Sequence, residues 1–182
     1  MKDIQIQFNS DISKDNTEVR ITFYTNIGFF IEVAQMLEFN LRKLICYELS
    51  VKEIEKEGLT KDNVSKICQK YDEYYFQTYD EKWTLGRLKD KLKESTSLPS
   101  DATDLIKEIN DYRILIVHKI FQNNVISGNL SDSKTLNSYI EERLIPMTNK
   151  ASEINKMIIR VIELYRNDLR VYKAKVGLID SE

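Results

Sequence analysis

Two periodicities divide the chain. In the first 25 residues apolar and polar positions alternate: Ile4, Ile6 and Phe8 with Gln5 and Gln7, then Val19, Ile21 and Phe23 with Arg20 and Thr22. A polar stretch, NSDISKDNTE, separates the two runs. Period two on both sides of a polar loop predicts a β-hairpin. Two strands alone are marginal in water, so the hairpin is expected to lean on the rest of the chain or on a partner. From Asn26 onward apolar positions recur at helical spacing. Asn26 is expected to cap a first helix running to about Glu57, with Phe30, Ala34, Leu37, Leu41, Leu44 and Ile45 as its apolar stripe and Gly58 as its stop. Thr60 opens a second helix, rich in tyrosine, and Thr84 a short third, LGRLKDKLKES. The segment SLPSDA breaks the chain, and Ser100 or Asp101 starts a fourth helix reaching about Val125. A fifth begins near 131–133 and runs to about Lys175, where Gly177 stops it. Pro146 lies inside that span and is expected to kink or split it, because it lacks an N–H and its ring clashes with the preceding turn. The expectation is a mainly α protein: a hairpin appendage over 1–25 and a bundle of about five helices over 26–178.

Composition agrees with helices. Five Gly and two Pro in 182 residues are too few for a turn-rich all-β fold. Against 27 basic side chains stand 29 acidic ones, a net charge of −2, so any contact with nucleic acid must be a local patch. The start MKDIQIQFNSD has no apolar core of a signal peptide, and no apolar run approaches the roughly 18 residues of a membrane span. A cytoplasmic protein without membrane contact is expected, with Cys46 and Cys68 as reduced thiols.

Several chemistries are excluded. The glycines stand singly at 28, 58, 86, 128 and 177, so none forms a phosphate-cradling loop. One histidine and no cysteine pair at metal spacing speak against a zinc site, and no metal or cofactor is expected.

The fourth helix carries the candidate chemistry. On a wheel of about 100° per residue, Leu105, Ile106, Ile109, Ile114, Ile116, Val117, Ile120 and Phe121 fill one arc. Arg113 falls in the middle of it. A guanidinium stays charged at any accessible pH, so it needs a partner there. One candidate is Glu38, which with Asn40 flanks the stripe of the first helix; the other is a phosphate met at a cleft or interface. His118 falls at the border of the arc, near Lys107 and Asp111, as a boundary residue or as a general acid or base. Farther off, Tyr71, Tyr74, Tyr75, Phe76 and Tyr79 cluster on the second helix, and Arg160, Arg166, Arg170, Lys173 and Lys175 gather toward the end of the last. Base stacking on such rings is plausible, although packing rings and a solvated basic face are the plainer readings.

The segment NDYRILIVHKIF, with Arg113 and His118 as Arg-x4-His late in a helical chain, resembles the signature helix of the HEPN superfamily. WTLGRLKDKL, residues 83–92, is reminiscent of some bacterial members. The resemblance covers residues 26–175. It implies a metal-independent endoribonuclease of toxin or antiviral-defence type, its site built across a homodimer and its activity held by an antitoxin or regulatory protein. Arg113 would hold the scissile phosphate and His118 would transfer protons, with Asp111 orienting the imidazole and Asn110 and Lys119 as outer phosphate contacts. Five residues of α-helix separate Arg113 and His118 by about 140° and about 7.5 Å of rise, so two copies about a two-fold axis would assemble them better than one. Where the family commonly has Asn, Asp or His after the arginine, this chain has Ile114. The resemblance therefore also admits a non-catalytic helical dimer that binds protein or nucleotide.

Overall fold

The computed structural model describes residues 14–81, 83–92, 98–119 and 132–180. These form α1 (Lys14–Glu57), α2 (Lys61–Asp80), α3 (Leu85–Leu92), α4 (Ser100–Ile114), α5 (Ser133–Tyr139) and α6 (Ile145–Lys175). Two five-residue π turns, Leu115–Lys119 and Ile140–Leu144, extend α4 and join α5 to α6. No strand occurs among the described residues.

The central element is α1, 44 residues and about 66 Å long. Its buried positions, Phe23, Ile27, Phe30, Ala34, Leu37, Leu41 and Leu44, advance in alternating steps of four and three. That is a heptad seam. A second one faces it: Leu144, Thr148, Ala151, Asn155, Ile158 and Ile162, also buried. Phe23 meets Tyr139 edge-on at 5.9 Å, Asn40 donates to Asn155 at 2.8 Å, and Tyr172 donates to Glu55 at 3.0 Å. The near-constant sequence offset of these pairs makes α1 and α6 parallel. Asn155 sits at a core position of its seam, and its oxygen accepts from Asn40 in one register only.

Around this pair the remaining elements close the bundle. α4 runs antiparallel to α6, with Lys150 on Glu108 at 2.8 Å and the Tyr112 hydroxyl on that of Tyr139 at 3.1 Å. α2 packs on the C-terminal half of α1, where Val51, Ile54, Val64, Ile67 and Leu169 form a smaller second core. Leu85, Leu88 and Leu92 of α3 are buried in the main core. No helix among the described residues is long and apolar enough to cross a membrane.

Several expectations hold. Gly58 at φ +93° and Gly177 at φ +69° end α1 and α6 in the left-handed conformation that favours glycine. The Thr60 hydroxyl accepts from the Asn63 N–H at 3.2 Å, capping α2. The last helical run is split where Pro146 enters: the proline stands in the first turn of α6, just after the second π turn.

The N-terminal hairpin is corrected. Residues 19–23, expected as its second strand, lie inside α1, which passes the expected boundary at 25/26 without a break. Val19, Phe23, Ile27 and Phe30 also stand at helical spacing, and burying that row wins over alternation, leaving Ile21 exposed. Asn26 is an interior residue rather than a cap; its amide donates to the Thr22 carbonyl at 2.8 Å. The expected first strand, Ile4–Phe8, and residues 120–131, including the end expected for the fourth helix near Val125, lie outside the described residues.

Leu41 lies at the centre of the seam and Leu164 on the outer face of α6. Leu41→Ala is expected to cost about 2 to 5 kcal/mol in urea unfolding, and Leu164→Ala under about 0.5 kcal/mol. Equal effects would contradict this placement of the core.

Candidate functional site

Ala102, Ile106 and Ile109 form the buried stripe of α4, Ile116 continues it in the π turn, and Arg113 occupies the position between the last two. The stripe faces α1, and there Arg113 finds a carboxylate. Its Nη1 donates to Glu38 Oε2 at 2.7 Å, with 22% of the arginine side chain and 17% of the glutamate exposed. The pair that the flanking position of Glu38 suggested is therefore formed.

Glu38 serves a second cation. Arg42, one turn further along α1 and only 7% exposed, donates from Nη2 to Glu38 Oε1 at 2.6 Å and to the Trp83 carbonyl at 2.5 Å. One carboxylate thus stands between two guanidiniums. The buried Arg42 is held on two sides, whereas Arg113 is the outer of the two cations. Among the described residues its other nitrogens make no hydrogen bond. An anion reaching α4 from outside would therefore meet donors that remain available.

The two segments that carry the resemblance meet here. Trp83 accepts from Arg42 and its ring lies under the Arg87 guanidinium at 4.3 Å. Its indole N–H donates to Glu81 at 2.7 Å, a bond that, with one from Gln77, holds the Glu81 carboxyl below its usual range. At Gly86, the first turn of α3, a Cβ would lie 3.5 Å from Asn110 Nδ2, so α3 and α4 approach closely at Asn110.

The other expected site residues separate from Arg113. His118 lies in the π turn and is exposed. Two expectations are corrected. Ile114 and Val117, placed on the inner arc, are 38% and 45% exposed: Ile114 ends α4 at the edge of that arc and Val117 lies in the π turn, while Ile116 keeps its buried place. Asp111, expected to orient His118, is exposed on the straight part of the helix, and no hydrogen bond joins the two among the described residues. Lys107 is exposed; Lys119 ends the turn, and its side chain is outside the described residues. Outside Arg113 the helix thus presents Ile114, Val117 and His118 on open surface.

Arg42 was not among the residues picked from the sequence. Its spacing of four from Glu38 on one helix was visible there, but the Trp83 carbonyl exists as a partner only after α3 has docked. Among the described residues no group of three or more His, Cys, Asp or Glu side chains is placed to share a metal ion.

Comparison with known proteins returns no match to a family model, a curated protein or a solved structure.

The shared carboxylate makes an asymmetric prediction. Glu38→Gln strips the buried Arg42 of its counter-charge and is expected to cost about 2 to 4 kcal/mol, whereas Arg113→Met frees a partly solvated group and costs about 1 kcal/mol or less. In urea unfolding of the double-mutant cycle the Glu38–Arg113 coupling is expected near 1 kcal/mol. A larger loss in Arg113→Met than in Glu38→Gln would contradict this charge arrangement.

Proposed function

We propose that this chain is a HEPN-type, metal-independent endoribonuclease of the toxin or antiviral-defence kind, acting in the cytoplasm as a homodimer. Its site forms where the α4 helices of two copies meet, and a regulatory or antitoxin protein controls it. The single observation that carries this reading is the state of Arg113: a permanent cation in an aliphatic stripe, held by one carboxylate oxygen, with 22% of its side chain exposed. Two features support it. Exposed Ile114 and Val117 flank the arginine with apolar surface suited to a partner helix, and His118 is accessible in a π turn, a distortion frequent at functional sites.

In this mechanism the RNA 2′-hydroxyl attacks the adjacent phosphorus. His118 of one copy takes the hydroxyl proton, and the leaving 5′-oxygen gains a proton from the second histidine. The products are a 2′,3′-cyclic phosphate and a 5′-hydroxyl end. Arg113 donates to the non-bridging oxygens, whose charge grows in the transition state. Glu38 fixes the guanidinium through one carboxylate oxygen and holds Arg42 with the other. Asn110 and Lys119 stand as outer contacts to the RNA backbone.

A second reading is favoured by the same ion pair. With Glu38 satisfying Arg113 inside one chain, the bundle is a non-catalytic HEPN-like dimer that binds protein or nucleotide, as Ile114 after the arginine also suggests.

Purified protein is expected to cut single-stranded RNA in the presence of EDTA, and His118→Ala to slow this by about 10²- to 10⁴-fold with unchanged helical content. Cleavage at the original rate in that variant would remove His118 from the mechanism. Absence of cleavage in every sample, with and without the cognate partner, would leave the binding module.

A further inference from the structure

The tyrosine-rich face of α2 and the basic end of α6, far apart in sequence, border one groove. Not all the rings are available. The Tyr71 hydroxyl is committed to Glu53 at 2.7 Å, and Tyr74 packs edge-on against Trp83 at 5.9 Å. Phe76 is different: it is 64% exposed, the outer ring of a series in which Tyr75 contacts it at 5.6 Å and Tyr75 in turn meets Phe39 at 6.3 Å.

Three hollows meet at Lys173, which lines all of them. The innermost, about 140 Å³, reaches between α1 and α2 to Cys46, Tyr47 and Tyr71. The second, about 430 Å³, is bordered by Phe76, Asp72 and Gln69. The third, about 630 Å³, runs along α6 past Arg166 and Arg170. Charge is segregated across the groove. The α6 wall carries Arg166, Arg170 and Lys173, and its acid, Glu163, is paired with Arg166 at 3.4 Å. The α2 wall carries Asp72 and Glu73 beside the exposed ring.

A ring face with acceptors beside it on one wall and cations on the other is the complement of a nucleotide whose base is unstacked. We propose that this groove is a binding site for single-stranded RNA, separate from the Arg113–His118 surface, in which a base lies on Phe76 and the adjoining phosphates run past Lys173 and Arg170. It rests on the reading that RNA is the substrate, but not on His118 cutting it. A duplex would not serve, because its bases are stacked and offer no free face. Asp72 and Glu73 accept from the amino groups of cytosine, adenine and guanine, which uracil lacks, so the groove discriminates against uridine.

Both cysteines of the chain line the innermost hollow, and Cys68 also lines the second, so thiol chemistry reports occupancy. Burial pushes the Cys46 thiol up to about 12; burial raises Cys68 too, but the Lys173 ammonium opposes it. Cys68, the more accessible, is the thiol that an alkylating reagent meets first.

The test uses the full chain with His118→Ala, so that probes survive, and follows the anisotropy of labelled oligo(C), oligo(A) and oligo(U). Oligo(C) and oligo(A) are expected to bind more tightly than oligo(U). Phe76→Ala should weaken binding about tenfold, and the double variant Arg170→Glu with Lys173→Glu should flatten the salt dependence by about one to two phosphate contacts. Bound RNA should slow iodoacetamide alkylation of Cys68, read by mass spectrometry. Phe76 is on the surface, so circular dichroism should not change. Affinity indifferent to both sets of substitutions, or unaltered alkylation at saturating RNA, overturns the proposal and leaves the nuclease reading standing. Groove-dependent binding in a protein that never cleaves supports the groove and removes the nuclease reading instead.

Discussion

The Glu38 carboxylate organises the candidate site. It is one negative charge placed between two arginines that cannot give up theirs. Arg42 is buried, so its desolvation must be offset by strong partners, and Glu38 and the Trp83 carbonyl supply them. Arg113 takes the remaining carboxylate oxygen. Three elements, α1, α4 and the turn before α3, are tied at one point. A partly exposed cation of this kind is suited to an anion, and the proposed chemistry needs nothing more from the arginine than directed positive charge.

The rest of the fold holds this point in place. Two parallel heptad seams fix α1 against α6, and the Asn40–Asn155 bond sets their register. α4 is then laid antiparallel to α6, tied by Lys150 to Glu108 and by Tyr112 to Tyr139. Both of these tyrosines immediately precede or lie close to π turns, so the helix irregularities on either side of residues 120–131 are anchored to each other. His118 lies in the π turn Leu115–Lys119, on the surface.

Much of the bundle was legible in the sequence because its signals are local. Glycine after an apolar row marked the ends of α1 and α6, Thr60 marked the start of α2, and Pro146 marked the interruption before α6. The N-terminal boundary was misread because Val19 and Phe23 satisfy both periods; only the neighbours Ile27 and Phe30 decide between them. In the site, the Glu38–Arg113 pair could be anticipated, since each residue interrupts or flanks an apolar stripe and each needs the other's charge. The π turn could not, because its register depends on how α4 packs. The Arg42–Trp83 contact could not either, since it joins a side chain to a backbone carbonyl brought near only by tertiary structure.

The central claim is that Arg113, while bonded to Glu38, still receives an external phosphate diester. Nitrogen-15 NMR of the arginine side chains, titrated with a 2′-deoxy dinucleotide that cannot be cleaved, tests it directly. The account predicts saturable shifts in the Arg113 guanidinium and the His118 ring, with Arg42 unmoved. If Arg113 stays unperturbed while His118 or remote residues respond, Arg113 is a structural cation only and the account is wrong.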